Sequence, residues 1–280
     1  MKKCLLVLVF ILLLAGCQKK TTNDSRLTTN ENIIVTSPEV AEIICELGLI
    51  DRISGVTLEC DYPEELQNKT IVGTFGKVDM EKVIALDPTL VFVSGLEQEF
   101  IATELAKMEI KVETIYPNTV MEMLDSIMRI GEIMGVPERS KALTKALRAE
   151  IESLQAAVSE KRPSIYVEIY GNPLMSVSDS SYVGELVELA GFDNIFSELP
   201  RVYSRISPEA VLDADPEYIL LLYPGINAED VKERKGWQNL AAVRNNRVFG
   251  EEVINADLLL RATPRSIIEL AGLINLRTDE

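Results

Sequence analysis

The sequence predicts an α/β protein of two similar lobes with parallel-type sheets, joined by one long rigid helix. Three observations carry this reading. Short apolar runs alternate with amphipathic stretches, as in strand–helix–strand units of a parallel sheet. A long helical pattern, residues 138–161, interrupts the alternation near the middle. A repeat relates the flanking halves: residues 80–93 read MEKVIALDPTLVFV and residues 208–221 read PEAVLDADPEYILL. Without gaps, Glu81 matches Glu209, Val83 matches Val211, Asp87 matches Asp215 and Pro88 matches Pro216. A gapped echo pairs ELGLIDRI (46–53) with ELAGFDNI (188–195). A spacing of 128 residues is far too long for a solenoid and fits two related lobes.

Each element follows from local chemistry. Ile33, Ile34 and Val35 form a fully apolar run, the signature of a buried strand. Residues 38–47 follow as a helix, with Ser37 as N-cap and Gly48 just past the end. Residues 53–56 read as a strand, 79–85 as a helix capped by Asp79, and 90–93 as a buried strand. Helix 98–108 and strand 112–115 complete the first half. Residues 119–134 are helical and are ended by Gly135 and Pro137. The stretch 138–161 is about 24 residues, roughly 36 Å as a helix, and Pro163 stops it. Strands 165–169 and 218–222 alternate with helices 182–190, 208–212 and 264–276 in the second half.

The N-terminus carries a separate signal. Lys2 and Lys3 precede an apolar run over residues 5–16, whose 12 residues are too few for a membrane span. A basic segment followed by a short apolar one reads as a secretory signal. The run ends in Leu14-Ala15-Gly16-Cys17, which resembles the bacterial lipobox. Cys17 is then the lipidated first residue of an extracytoplasmic chain held at a membrane. Polar residues 18–32 lack an apolar period and read as a tether. The expected division is signal 1–16, lipidated Cys17 and tether 17–32, N-terminal lobe 33–136, bridging helix 137–162 and C-terminal lobe 163–280.

Composition removes whole classes of function. The 280 residues hold 28 Lys and Arg against 44 Asp and Glu, a formal net charge of −16. So acidic a chain makes nucleic acid an unfavourable partner. There is no histidine, which removes His-dependent hydrolase triads and His ligation of zinc or haem. Only Cys45 and Cys60 remain in the folded part, as buried thiols or an extracytoplasmic disulfide. Two cysteines without histidine make no metal site.

Four ordered segments carry a family resemblance. Ile34-Val35-Thr36-Ser37-Pro38 leads into a helix, then Gly55-Val56 and Asp61-Tyr62-Pro63. Gly73, Met80-Glu81 and Leu86-Asp87-Pro88 form the second, and Ser207-Pro208-Glu209 with Asp215-Pro216 the third. The fourth runs from Gly236-Trp237 through Leu240, Ala242-Val243 and Asn246-Arg247-Val248 to Arg261-Ala262-Thr263-Pro264-Arg265. Over about residues 33–277 the chain resembles substrate-binding proteins of ABC importers for cobalamin and ferric siderophores. The resemblance implies the class III periplasmic-binding fold, with ligand in the interlobe cleft. It implies a monomeric binder with no catalytic residue and no cofactor of its own, any iron or cobalt belonging to the ligand. Its partners are a small-molecule metal complex, an ABC permease and, through the lipid, a membrane. In the family one exposed glutamate per lobe docks on permease arginines. By motif position these are Glu81 and Glu209, the acids that the repeat also pairs; both also suit helix N-termini.

By the same resemblance, Phe75 in the loop before the Asp79 helix lies against the ligand. Tyr203 occupies the corresponding loop of the second half. Aromatic faces suit a macrocycle or a catecholate complex. Asp257 and Arg261 fall where the family has cleft-facing polar residues, and Arg261 suits either anionic ligand oxygens or an interlobe salt bridge. Arg201 and Arg205 flank Tyr203 and bring positive charge, or are solvated loop arginines. Tyr170 and Asn172 follow a strand and are placed at the cleft wall, whereas Trp237 reads as structural. Glu59 stands where cobalamin binders have an aromatic, so cobalamin is not favoured over a siderophore. Haem, with Tyr62, Tyr170 or Tyr203 as axial ligand, and an oxyanion such as molybdate are the alternatives. An enzyme using paired acids such as Glu64-Glu65 or Glu251-Glu252 is disfavoured, since adjacent residues point apart. A non-transport lipoprotein is the remaining class.

Overall fold

The computed structural model describes residues 32–95 and 98–277. The expected signal, Cys17 and all but the last tether residue lie outside the described residues. Strands β1 (Ile33–Val35), β2 (Ile53–Val56) and β3 (Thr70–Ile71) open the N-terminal lobe, with helix α1 (Pro38–Glu46) between the first two. A hairpin, β4 (Gly73–Thr74) and β5 (Lys77–Val78), leads into α2 (Met80–Ala85) and β6 (Leu90–Val93). Helix α3 (Glu99–Lys107), β7 (Val112–Thr114) and α4 (Val120–Ile133) complete it. The sheet is parallel throughout, in the order β3-β2-β1-β6-β7.

Helix α5 (Pro137–Gln155) bridges the lobes. It has 19 residues, shorter than the expected stretch. The chain turns after Ala156, where the Ala157 and Val158 amides donate to the Leu154 and Gln155 carbonyls three residues back. The Arg277 guanidinium donates to the Ser159 hydroxyl at 2.9 Å and to the Lys161 carbonyl, which holds the chain beyond the turn in place.

The C-terminal lobe holds β8 (Ser164–Glu168), β9 (Tyr170–Gly171), β10 (Leu174–Val177), α6 (Tyr182–Leu189) and β11 (Asp193–Asn194). It continues with β12 (Tyr203–Arg205), α7 (Pro208–Ala214), β13 (Tyr218–Leu221), α8 (Ala228–Lys232) and α9 (Ala241–Arg244). Strand β14 (Val248–Phe249) and helices α10 (Ala256–Leu260) and α11 (Ser266–Asn275) close it. Strands β11-β8-β13-β14 form a parallel sheet and β12-β10-β9 an antiparallel one. The antiparallel sheet was not expected, and it moves Tyr203 from a loop onto strand β12.

Side-chain alternation explains how the lobes are joined. In β1, Ile33 and Val35 enter one core while Ile34 enters another, since successive strand residues face opposite sides. In β13, Tyr218 and Leu220 enter that first core, and Ile219 and Leu221 pack beneath Trp237. One apolar cluster therefore runs from the inner face of one sheet, through α4, α5, α6 and α11, to that of the other. The repeat is visible in the backbone. Asp79 caps α2 and Ser207 caps α7 through their side chains. Asp87 and Asp215 then follow with left-handed φ values of 46° and 41°, each before a proline and a central strand.

Candidate functional site

A cavity of about 220 Å³ lies between the lobes. The N-terminal lobe contributes Glu39 from the first turn of α1, Phe75 from the hairpin tip, Ser94 after β6, and Ile115 to Asn118 after β7. The C-terminal lobe contributes Tyr182 at the start of α6, Tyr203 of β12, and Leu260 and Ala262 around the end of α10. The carboxyl ends of parallel strands open here, where α/β folds place ligands. Phe75, Tyr116, Tyr182 and Tyr203 give the cavity an aromatic wall from both lobes. Glu39 is the one charged lining residue among the described residues; its carboxylate accepts the Ser37 hydroxyl at 2.7 Å.

Buried polar groups hold the aromatics. Gln98, fully buried, fixes the Phe75 hairpin to the central strands. Its Nε2 donates to the Phe75 carbonyl at 2.9 Å and to the Thr36 carbonyl at 3.1 Å. Its Oε1 accepts from the Thr36 hydroxyl at 2.6 Å and the Ser94 amide at 2.7 Å. The Phe75 amide donates to the Glu59 carboxylate at 2.7 Å, which gives the acid at that position a local role. Gly95 lets the Tyr116 ring close on the end of β6, since a Cβ there would sit 2.5 Å from the ring. The Tyr182 hydroxyl meets the Ser266 hydroxyl at 2.5 Å. Replacing Gln98 by leucine removes four hydrogen bonds and strands the Ser94 amide and the Phe75 carbonyl, while the Thr36 carbonyl and hydroxyl keep Thr57 and Phe92. A loss of about 2–3 kcal/mol in urea unfolding is expected; an unchanged midpoint would show that Gln98 does not hold this wall.

The structure brings Phe75 and Tyr203 together across one cavity and places the other expected residues elsewhere. The Arg261 guanidinium lies 3.0 Å from Asp61 of the opposite lobe, and Asp257 acts on it electrostatically. Tyr170 is exposed and tilts against Tyr223, with ring centroids 6.2 Å apart. Arg205 is exposed, opposite Met175 in the β10–β12 pair. Glu81 and Glu209 are both exposed in the first turns of α2 and α7. Trp237 is buried, with Arg234 stacked 4.6 Å from its ring and bonded to buried Glu168 at 2.6 Å. Cys45 and Cys60 are free thiols, and burial pushes both up to about 12. Among the described residues, no group of three or more His, Cys, Asp or Glu is placed to hold a metal ion.

Sequence reasoning missed Glu39, Gln98, Tyr116 and Tyr182. Tyr116-Pro117-Asn118 follows the carboxyl end of a predicted strand, a signal that would have found it. Tyr182 reads as an ordinary helix residue, and Gln98 carries no local signal of its contacts.

Comparison with known proteins decides the family. The profile of the periplasmic binding proteins matches residues 33–251. The chain belongs to the periplasmic binding protein family. Membership makes it a solute-binding protein and not an enzyme. It is 27% identical over 246 residues to the ABC transporter substrate-binding lipoprotein YvrC of Bacillus subtilis strain 168, covering 85% of this chain and 76% of that one. It is 25% identical over 242 residues to the vitamin B12-binding protein of Vibrio parahaemolyticus serotype O3:K6, covering 85% and 86%. Its fold matches the periplasmic vitamin B12 binding protein BtuF of Vibrio cholerae. The TM-score is 0.77 and the identity 24%, over 89% of this chain and 96% of the other. The two helix-bridged lobes are the class III periplasmic-binding fold that the sequence predicts.

Proposed function

We propose that this chain captures a metal complex, a ferric siderophore or a cobalamin-type corrinoid, between its lobes and delivers it to an ABC import permease. One observation carries the reading: both lobes of a periplasmic binding protein turn aromatic side chains into a single cleft. Rings offer broad, sequence-tolerant contact to a large flat or lobed complex. The lipobox-like Leu14-Ala15-Gly16-Cys17 supports an extracytoplasmic monomer anchored through Cys17, with residues 17–32 as tether. Residues 33–136, 137–162 and 163–280 then serve as lobe, bridge and lobe. Glu81 and Glu209, one exposed acid per lobe, are the docking points for permease arginines.

The cleft also ranks ligands by charge. Among the described residues its charged lining group is an acid and no cation lines the space, so a bare oxyanion such as molybdate meets repulsion. Neutral or cationic complexes fit best. The test is retention on gel filtration, read by visible absorbance after incubation with cobalamin, a ferric trihydroxamate, a ferric tricatecholate or haem. Co-elution of cobalamin or the trihydroxamate is expected. Failure of every metal complex to stay bound to folded protein would overturn the reading.

A further inference from the structure

The interlobe cavity measures about 220 Å³. Pockets that bury a drug-sized ligand span ~300–1,000 Å³. The lobes must therefore part before such a ligand enters, and something must hold them as they stand. Two arginines of the C-terminal lobe reach into the N-terminal one. Arg261 lies 3.0 Å from Asp61 and 3.8 Å from Glu42. Arg265 lies 3.4 Å from Glu42 and stacks 3.3 Å from the centroid of the Tyr62 ring. Glu42, in the middle of α1, is 2% exposed, and neither carboxylate oxygen accepts a hydrogen bond. A buried carboxylate without hydrogen bonds depends on nearby opposite charge. Here the arginines of the other lobe supply it.

We infer that Arg261 and Arg265, gripping Glu42, Asp61 and Tyr62 across the lobe boundary, form an ionic clamp that sets the resting closure of the cleft. The clamp belongs to the ligand-free chain and does not depend on which ligand is carried. Its failure would leave capture and docking standing, just as a failed retention assay would leave the clamp standing. Without both arginines the ion pairs and ring stacking that tie Glu42, Asp61 and Tyr62 to the other lobe, and so oppose opening, are gone. The shared apolar core at the α4, α5, α6 and α11 level keeps that motion a limited hinge.

Hydroxyl-radical footprinting of the full chain in detergent at pH 8 tests this by reading side-chain access to water. Phe75 and Tyr182 line the cavity on opposite lobes, and Tyr182 is only 3% exposed. Buried Tyr166 and Trp237 report global unfolding. The double variant Arg261→Gln with Arg265→Gln is expected to raise oxidation of Phe75 and Tyr182 several-fold, with Tyr166 and Trp237 unchanged. If that variant fails to fold, so that Tyr166 and Trp237 also react, Asp61→Asn alone decides; Asp61 is half exposed and its loss is mild. A smaller rise at Phe75 and Tyr182 is expected there. Parent-like oxidation of the two cleft residues in a folded variant overturns the clamp.

Discussion

Replacing both Glu81 and Glu209 by alanine is expected to abolish import while leaving ligand retention at the parent level. Both acids sit in the first turn of a short, side-chain-capped helix, exposed and far apart in sequence. Neither side chain lines the interlobe cavity. Removing them therefore leaves the binding wall intact. Two charge-assisted contacts on separate lobes fix orientation as well as affinity. Loss of one partner of such a pair costs about 2 kcal/mol or more, and every 1.4 kcal/mol is about tenfold. Each single variant should thus lower permease affinity by roughly 30-fold, and the double variant by the product if the sites act independently. Uptake of the retained chromophore by cells carrying each variant measures the effect. Normal uptake by the double variant, with the protein present at parent levels, would remove both residues from docking.

The repeat made that pair legible, and much of the fold was legible for related reasons. Ile33-Ile34-Val35 and Leu90-Val91-Phe92-Val93 are continuous apolar runs because helices cover both faces of the N-terminal sheet. Ser37, Asp79, Ser181 and Ser207 cap their helices with side-chain oxygens, so the starts were written locally. The antiparallel sheet was not. Its strands are short, Asn172-Pro173 reads as a turn, and Tyr203-Ser204-Arg205 has no apolar alternation. The site divides in the same way. Phe75 and Tyr203 stand beside the repeat's paired helices and could be found. Gln98 could not, because its value lies in four partners brought together by the tertiary fold. Arg261 illustrates the same limit: its partner Asp61 is 200 residues away, and the sequence left ligand contact and salt bridge equally open.

Glu42 gives the fold a pH dependence of definite sign. Burial pushes its carboxyl up to about 7, against the opposing pull of Arg265, Arg261 and the Thr263 hydroxyl; Glu39 adds a small push in the same direction as burial. In the unfolded chain the same group titrates near 4.5. Between these values the folded state binds more protons than the unfolded one. The contribution of Glu42 to stability is therefore complete below pH 4.5 and is lost as pH rises through 7. Desolvation wins over two nearby cations because Glu42 is 2% exposed and the guanidinium nitrogens stand off at 3.4 and 3.8 Å. Glu42→Gln keeps the shape and removes the charge. At pH 8 this variant is expected to be more stable than the parent by about 1–3 kcal/mol in urea unfolding. At pH 5 the gap should shrink to below about 1 kcal/mol, since the side chain of the folded parent is then neutral and only the unfolded chain is partly ionised. A variant less stable than the parent at pH 8 would mean that pairing with the arginines outweighs burial. The carboxylate would then be a net stabilising part of the lobe boundary and not a charge tolerated there.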